Sequence, residues 1–206
     1  MKLKQLEYQL SSIEPFKKPK ILLEQYVTPP HIAACMLNHI QSENDDITGK
    51  IVADLGCGAG CLTIGTAILD AAVVYGFEID ADALEVFQEN VEEFEVPQIE
   101  TLHCDVRKIP SRFDKFFDTV IMNPPFGTKH NAGIDMEFLE IGVRLSNNAV
   151  YSLHKTSTRN HVIKHAESLG GKVEVVAELK YNLPSTYKFH KKKSVDIEVD
   201  LIKILV

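Results

Sequence analysis

Two short runs in this 206-residue chain have residue types and spacing that could do chemistry. The sharper one is Asn123-Pro124-Pro125-Phe126, which directly follows the apolar run DTVIM. Consecutive prolines fix φ and remove two backbone donors, so the carbonyls between them point outward with no ladder to join. An exocyclic amine on an aromatic base is a poor nucleophile because its lone pair is delocalised into the ring. Accepting its two N–H bonds, one on the Asn123 side-chain oxygen and one on the Pro124 carbonyl, aims that lone pair at an electrophile. Phe126 can stack on the face of the base. A strand stop with a capping asparagine would explain the prolines but not the residues on either side of them.

The second run is Asp54-Leu55-Gly56-Cys57-Gly58-Ala59-Gly60, where alternate glycines let a ligand lie against bare backbone. It departs from a dinucleotide fingerprint, since Cys61 stands where the third glycine belongs, and it lacks the lysine of a P-loop. Acids stand at the ends of three successive apolar runs: Asp54, Glu78 and Asp105. Such a trio repels a pyrophosphate and accommodates a cation bearing hydroxyl and amino donors, of which S-adenosylmethionine is one. Glu78 can accept from both ribose hydroxyls, Asp105 from an adenine amino group, and Asp54 lies near the methionine ammonium. The competing reading makes these acids helix caps, which suits Asp80 or Asp82 better than the trio. A sulfonium leaves as a neutral thioether, so the chemistry requires no metal and no strong base. His130 and His154, the residues one would otherwise nominate as base or ligand, read as loop or surface positions.

The elements that must position these residues follow from periodicity. IVADL (51–55), VVYGFEID (73–80), IETLHCD (99–105), DTVIMN (118–123) and AVYSLH (149–154) read as strands. Helix-length segments separate them, and Leu84, Phe87, Val91 and Phe94 make one helical face over Ala81–Phe94. Alternating strands and helices imply a doubly wound α/β sheet, mostly parallel, with helices on both faces. VEVVAEL (173–179) and VDIEVDLIKIL (195–205) have no convincing helix between them and so predict antiparallel pairing. Residues 1–20 read as an N-terminal helix and connector, and 21–206 as a single domain.

Composition excludes several classes. At 45% hydrophobic and 25% charged, the chain can bury a full core and is neither a disordered tail nor a fibre. Four cysteines, at 35, 57, 61 and 104, form neither a disulfide framework nor zinc knuckles, which implies a reduced, intracellular setting. The stretch from Leu55 to Leu69 is too short to cross a bilayer, and MKLKQLEYQL lacks the apolar run of a signal peptide. The net charge of −7 hides a segregation. Residues 51–106 hold twelve acids and no Lys or Arg, whereas 141–166 hold four basic residues and no acid, and 179–195 five lysines and no acid. One pole suits a cation and another a polyanion. Lys188, Phe189, His190, Lys191, Lys192 and Lys193 combine phosphate contacts with an aromatic for stacking, which fits a single-stranded or flipped base.

DLGCGAG, Glu78, the Cys104-Asp105 pair and NPPF together resemble the class I S-adenosylmethionine-dependent methyltransferases that modify exocyclic amines. From LLEQYVTP (22–29) through NPPFGTK and SLHKTSTR to YKFHKKKSVDIEVDL, nearly the whole chain is similar to the eukaryotic N6-adenine methyltransferases of small-subunit (18S) ribosomal RNA. The resemblance implies a Rossmann-like seven-stranded sheet with an antiparallel last strand. It implies Gln25 and Thr28 as an N-terminal lid over the cofactor and backbone contacts at Gly56 and Ala59, with Glu78 where an Asp is common. It further implies a heterodimer with a small zinc-binding activator that extends the sheet at an edge strand, for which IETLHC is the candidate. Nuclear, nucleolar and cytoplasmic residence goes with that role, and Lys191–Lys193 also suit a nuclear address. Related tetrapeptides serve DNA adenine, guanine N2 and glutamine methyltransferases, so the four residues alone leave the substrate open. A non-catalytic RNA-binding module with a relic pocket is the remaining alternative.

Overall fold

The computed structural model describes residues 1–127, 131–184 and 194–206. The chain runs α1 (Leu3–Leu10), α2 (Pro30–Asn44), β1 (Ile51–Leu55), α3 (Cys61–Ile68), β2 (Val73–Glu78), α4 (Ala81–Phe94), β3 (Ile99–His103) and β4 (Phe117–Met122). It continues through α5 (Ile134–Leu145), β5 (Ser146–Lys155), α6 (Arg159–Ser168), β6 (Lys172–Pro184) and β7 (Ser194–Leu205). These form one seven-stranded sheet in the order β3-β2-β1-β4-β5-β7-β6. The first five strands pair in parallel, and β7 is antiparallel to both β5 and β6. The expected doubly wound sheet and its antiparallel end are therefore present, and IETLHC lies on a sheet edge.

Alternation along each strand divides the core in two. Val52, Val74, Ile121 and Tyr151 face α1, α2, α3 and α4, whereas Ala53, Phe77, Val120, Met122 and Val150 face α5 and α6. β7 explains why the tail reads as irregular alternation: Val199 and Leu201 enter the first core, Ile202 and Ile204 the second. A strand covered on both faces has no polar side to alternate with. Leu6 and Leu10 bury α1 in the first core.

One expectation fails. His154 is not at the surface; it lies on β5 with 0% exposure. The strand runs on to Lys155, and β7 pairs alongside it with Asp200 opposite His154, so a residue that a short strand would leave at its end is enclosed.

The order reverses between β2-β1 and β4-β5, since the chain crosses to the other face between β3 and β4. At such a switch point the loops beyond neighbouring strand ends diverge and leave a crevice. The loop after β1 and the Asn123 segment after β4 open into it.

Candidate functional site

The loop after β1 takes backbone that side chains rarely adopt at three glycines, Gly56, Gly58 and Gly60. Gly56 N–H and Cys57 N–H both donate to the Phe77 carbonyl, at 2.8 and 3.1 Å, so the chain stays on the sheet edge before it enters α3. Gly58 has φ +55° and Gly60 φ +94°. A Cβ on Gly58 would stand 2.8 Å from the Phe16 ring, and one on Gly60 would stand 2.2 Å from Phe87. Positive φ and close approach thus both require glycine here.

The acids take different environments. Asp54 is 1% exposed and accepts a 2.6 Å hydrogen bond from Thr63 Oγ1. Burial pushes its carboxyl up to about 7, with the Glu78 charge adding and the Thr63 bond opposing. Glu78 is caged by backbone: Gly58 N–H donates at 2.9 Å, and Ile79 and Asp80 N–H donate at 3.0 Å. Burial still holds its carboxyl above the usual range against those three donors. Asp80 caps α4 through Asp82 N–H, receives Gln25 Nε2 at 2.7 Å, and pairs with Lys20. Burial alone would raise it, but Lys20 and Gln25 hold it below the usual range.

Asp105 departs from the simple expectation of a carboxylate awaiting an amine. Its side chain caps the turn Val106–Lys108, and Arg107 binds it in a fork at 2.8 to 3.2 Å. That guanidinium keeps Asp105 below the usual carboxylate range. A donor on an incoming ligand must therefore share this acid with Arg107.

The segment before α2 forms the roof. Gln25 Oε1 accepts from Lys20 N–H at 2.7 Å while its amide reaches Asp80, which ties the strap to the start of α4. Asn90, fully buried on α4, receives Glu14 N–H and donates to the carbonyls of Glu14 and Ala59. Thr28 Oγ1 accepts from Asn123 Nδ2 at 2.9 Å, so the strap also sets the plane of that amide.

Gln25, Thr28, Asp54, Gly56, Gly58, Ala59, Glu78 and Asp105 line one cavity, and Asn123 and Pro125 line it with them. Pro124 and Phe126 are buried behind it; the Phe126 ring stacks on Tyr26 with centroids 5.7 Å apart, and Lys155 Nζ lies 5.7 Å from its centre. Sequence reasoning missed Phe16, Tyr26, Arg107 and Phe138, which complete the walls. Phe16 and Phe138 arrive from elements remote in sequence, whereas Tyr26 lies between Gln25 and Thr28 and Arg107 two residues after Asp105, so adjacency was the signal for those two. Lys188–Lys193 and His130 lie outside the described residues. Among the described residues, no group of His, Cys, Asp or Glu could hold a metal ion, and no helix is long and apolar enough to cross a membrane.

A glycine turn at the end of the first strand, an acid at the end of the second and a ligand cavity at the switch point are the features of the methyltransferase class. Residues 32–155 match the methyltransferase small domain family, and the chain belongs to it. The rRNA N(6)-adenosine-methyltransferase METTL5 of Danio rerio is 61% identical over 203 residues, which cover 98% of each chain. Its Drosophila melanogaster counterpart is 57% identical, over 97% of this chain and 94% of its own length. Within the small-domain methyltransferases, then, this chain is a member of the METTL5 family. A solved Pyrococcus horikoshii structure, provisionally described as an RNA methyltransferase, is 36% identical and superposes with a TM-score of 0.88, covering 100% of this chain and 98% of its own. Magnesium protoporphyrin IX methyltransferase from Synechocystis, solved with bound S-adenosylmethionine, shares the fold at TM-score 0.65 and 15% identity, over 96% of this chain and 89% of that one.

Proposed function

We propose that this chain transfers a methyl group from S-adenosylmethionine to N6 of an unpaired adenosine in small-subunit (18S) ribosomal RNA. The observation that carries the reading is the shared cavity: the glycine loop and the Asn123 amide open onto the same space from two neighbouring strand ends. The cavity's chemistry fits the cofactor. Its walls are bare backbone at Gly56 and Gly58 and four carboxylates, Glu24, Asp54, Glu78 and Asp105, a setting that suits a cation with hydroxyl and amino donors. When bound, the cofactor supplies an electrophilic methyl on a sulfonium.

Glu78 is the acceptor for the ribose hydroxyls, Asp54 the acid facing the ammonium, and Asp105 the acceptor for the adenine amine of the cofactor. Thr28 fixes the Asn123 amide. Its oxygen and the Pro124 carbonyl then accept the two N–H bonds of the target amine, and the lone pair points at the methyl carbon. The cofactor held there would give up its methyl and leave as a neutral thioether, and the proton lost from the methylated nitrogen would pass to water. The base must be unstacked to reach Asn123, at roughly a few kcal/mol, so an already unpaired nucleotide is the easier substrate. Phe126, packed on Tyr26 behind the cavity, backs the Asn123 segment rather than the base, and Lys188–Lys193 contact the backbone phosphates. The zinc-binding activator pairs with β3, and the complex works in the nucleus, the nucleolus and the cytoplasm.

The test is Asn123→Ala. Methylation of small-subunit rRNA, read as N6-methyladenosine by mass spectrometry, should fall at least 100-fold while calorimetric affinity for the cofactor stays within a factor of three. Retained transfer overturns the reading. Label from the methyl donor in protein selects glutamine methylation, methylated guanine selects N2 chemistry, and tight cofactor binding without turnover selects a binding module.

A further inference from the structure

His154 has no part in the site described above, yet it lies directly behind it. Parallel register pairs Ser152 of β5 with Met122 of β4, so His154, two residues further along the same face, stands level with Pro124. Its Nε2 is 2.8 Å from Ser152 Oγ. Its Nδ1 faces Oδ2 of Asp135 at 3.7 Å and is buried with no hydrogen-bond partner among the described residues. Asp135 is the second residue of α5, and its other oxygen, Oδ1, lies 3.3 Å from where a Cβ on Gly127 would stand. Gly127 directly follows Phe126. One carboxylate therefore stands between an imidazole in the sheet and the close-packed backbone of Gly127, at the far end of the Asn123–Phe126 segment.

Ser152, His154 and Asp135 have the order of a hydrolytic triad. Ser152 and His154, however, are both 0% exposed and neither lines the cavity, so no substrate reaches them. The arrangement holds something in place instead. Asp200, the cross-strand partner of His154, is already occupied: Arg159 reaches it at 2.6 and 2.7 Å and Thr156 Oγ1 at 2.8 Å. Asp135 is the acid left for the imidazole. Burial works against its charge, but the adjacent His154 and backbone N–H groups keep its carboxyl below the usual range.

We propose that His154 is a positioning residue for methyl transfer, acting through Asp135 to fix the Gly127 end of the Asn123–Phe126 segment. This rests on the function proposed above. The segment is also tied at its other end, where Thr28 Oγ1 accepts from the Asn123 amide, and that tie reaches the N-terminal strap. The His154–Asp135 tie reaches the sheet. Two acceptors that must meet two N–H bonds tolerate little displacement, and a shift of about 1 Å costs on the order of 100-fold in rate.

His154→Phe fills the space without either ring nitrogen, and His154→Asn keeps a donor near the Nδ1 position. With the full chain and small-subunit rRNA as substrate, kcat should fall about 10- to 100-fold in the Phe variant and less in the Asn variant. KM and calorimetric affinity for the cofactor should not move. A purely packing role predicts the opposite order, with Phe close to wild type and Asn impaired, and that result overturns the inference. Combining His154→Phe with Asp135→Ala should add no further loss, whereas additive losses overturn it. If the Phe variant does not fold, Asp135→Ala against Asp135→Asn carries the test: the Ala variant should lose kcat and the Asn variant recover it, and equal losses decide against. Asn123→Ala in the same assay separates the two claims. An active Asn123→Ala defeats the proposed function, and an inactive one beside a fully active His154→Phe defeats this inference alone.

Discussion

Asp54 carries a consequence of its burial that can be measured without any RNA. An unfolded aspartate titrates near 4, and in the folded chain burial pushes this one up to about 7. The folded state therefore holds a proton that the unfolded state has lost. The stabilisation this group contributes is full below about pH 4 and disappears as pH rises through about 7. A bound ammonium opposes that shift, so cofactor binding should release a proton around pH 6. Titration calorimetry in buffers of different ionisation enthalpy reads that release directly. It should be present in the wild type and absent in Asp54→Asn, and a wild type that releases none contradicts the placement of the ammonium. The raised Glu78 carboxyl shifts in the same direction and for the same leading reason, burial.

The N-terminal strap is where local elements become a site. Asn90 holds both the N–H and the carbonyl of Glu14 together with the Ala59 carbonyl, and so links α4, the strap and the glycine turn. Asn90→Ala leaves these buried backbone groups unpaired and should cost roughly 2–4 kcal/mol in denaturant unfolding. It should also weaken cofactor affinity at least tenfold, because Phe16 and Gln25 are no longer held over the cavity. Unchanged affinity in a destabilised variant would mean that the strap binds nothing. Gly60→Ala is a harsher case on the same turn: the Phe87 ring stands where the new Cβ must go, and positive φ adds strain. That variant should fail to accumulate as folded protein, as judged by soluble yield and circular dichroism.

At the scale of the whole molecule, the sheet ends in two different edges. β6 carries Lys172, Glu174, Glu178 and Lys180 along its first nine residues, charges that discourage further pairing. β3 is five residues long, with Ile79 (44% exposed) beside its C-terminal end. Because Cys104 N–H donates inward to the Glu78 carbonyl, alternation turns the Thr101 N–H toward the free side. Thr101→Pro removes that outward donor and leaves the β2–β3 ladder intact. If the activator adds a strand here, this variant should lose co-purification with it while the isolated chain keeps its melting temperature. Undiminished co-purification would place the partner elsewhere.

Much of this was legible in the residues themselves. A strand that ends in glycine, helical spacing over Ala81–Phe94, and acids at strand ends are local patterns, and local sterics and periodicity set them. The stop after β4 is local too, since two prolines fix φ and remove two backbone donors in any context. What the sequence left open was decided by approach between distant segments. Phe16 over Gly58, Thr28 on the Asn123 amide and Asp135 beside His154 are contacts between segments whose own neighbours in sequence say nothing of them. His154 shows the reason most plainly: whether a histidine at the end of an apolar run is exposed depends on which strand pairs beside it, and β7 arrives from the end of the chain. Composition and spacing fixed the kinds of group available, while only the packed sheet determined which of them face the same few ångströms.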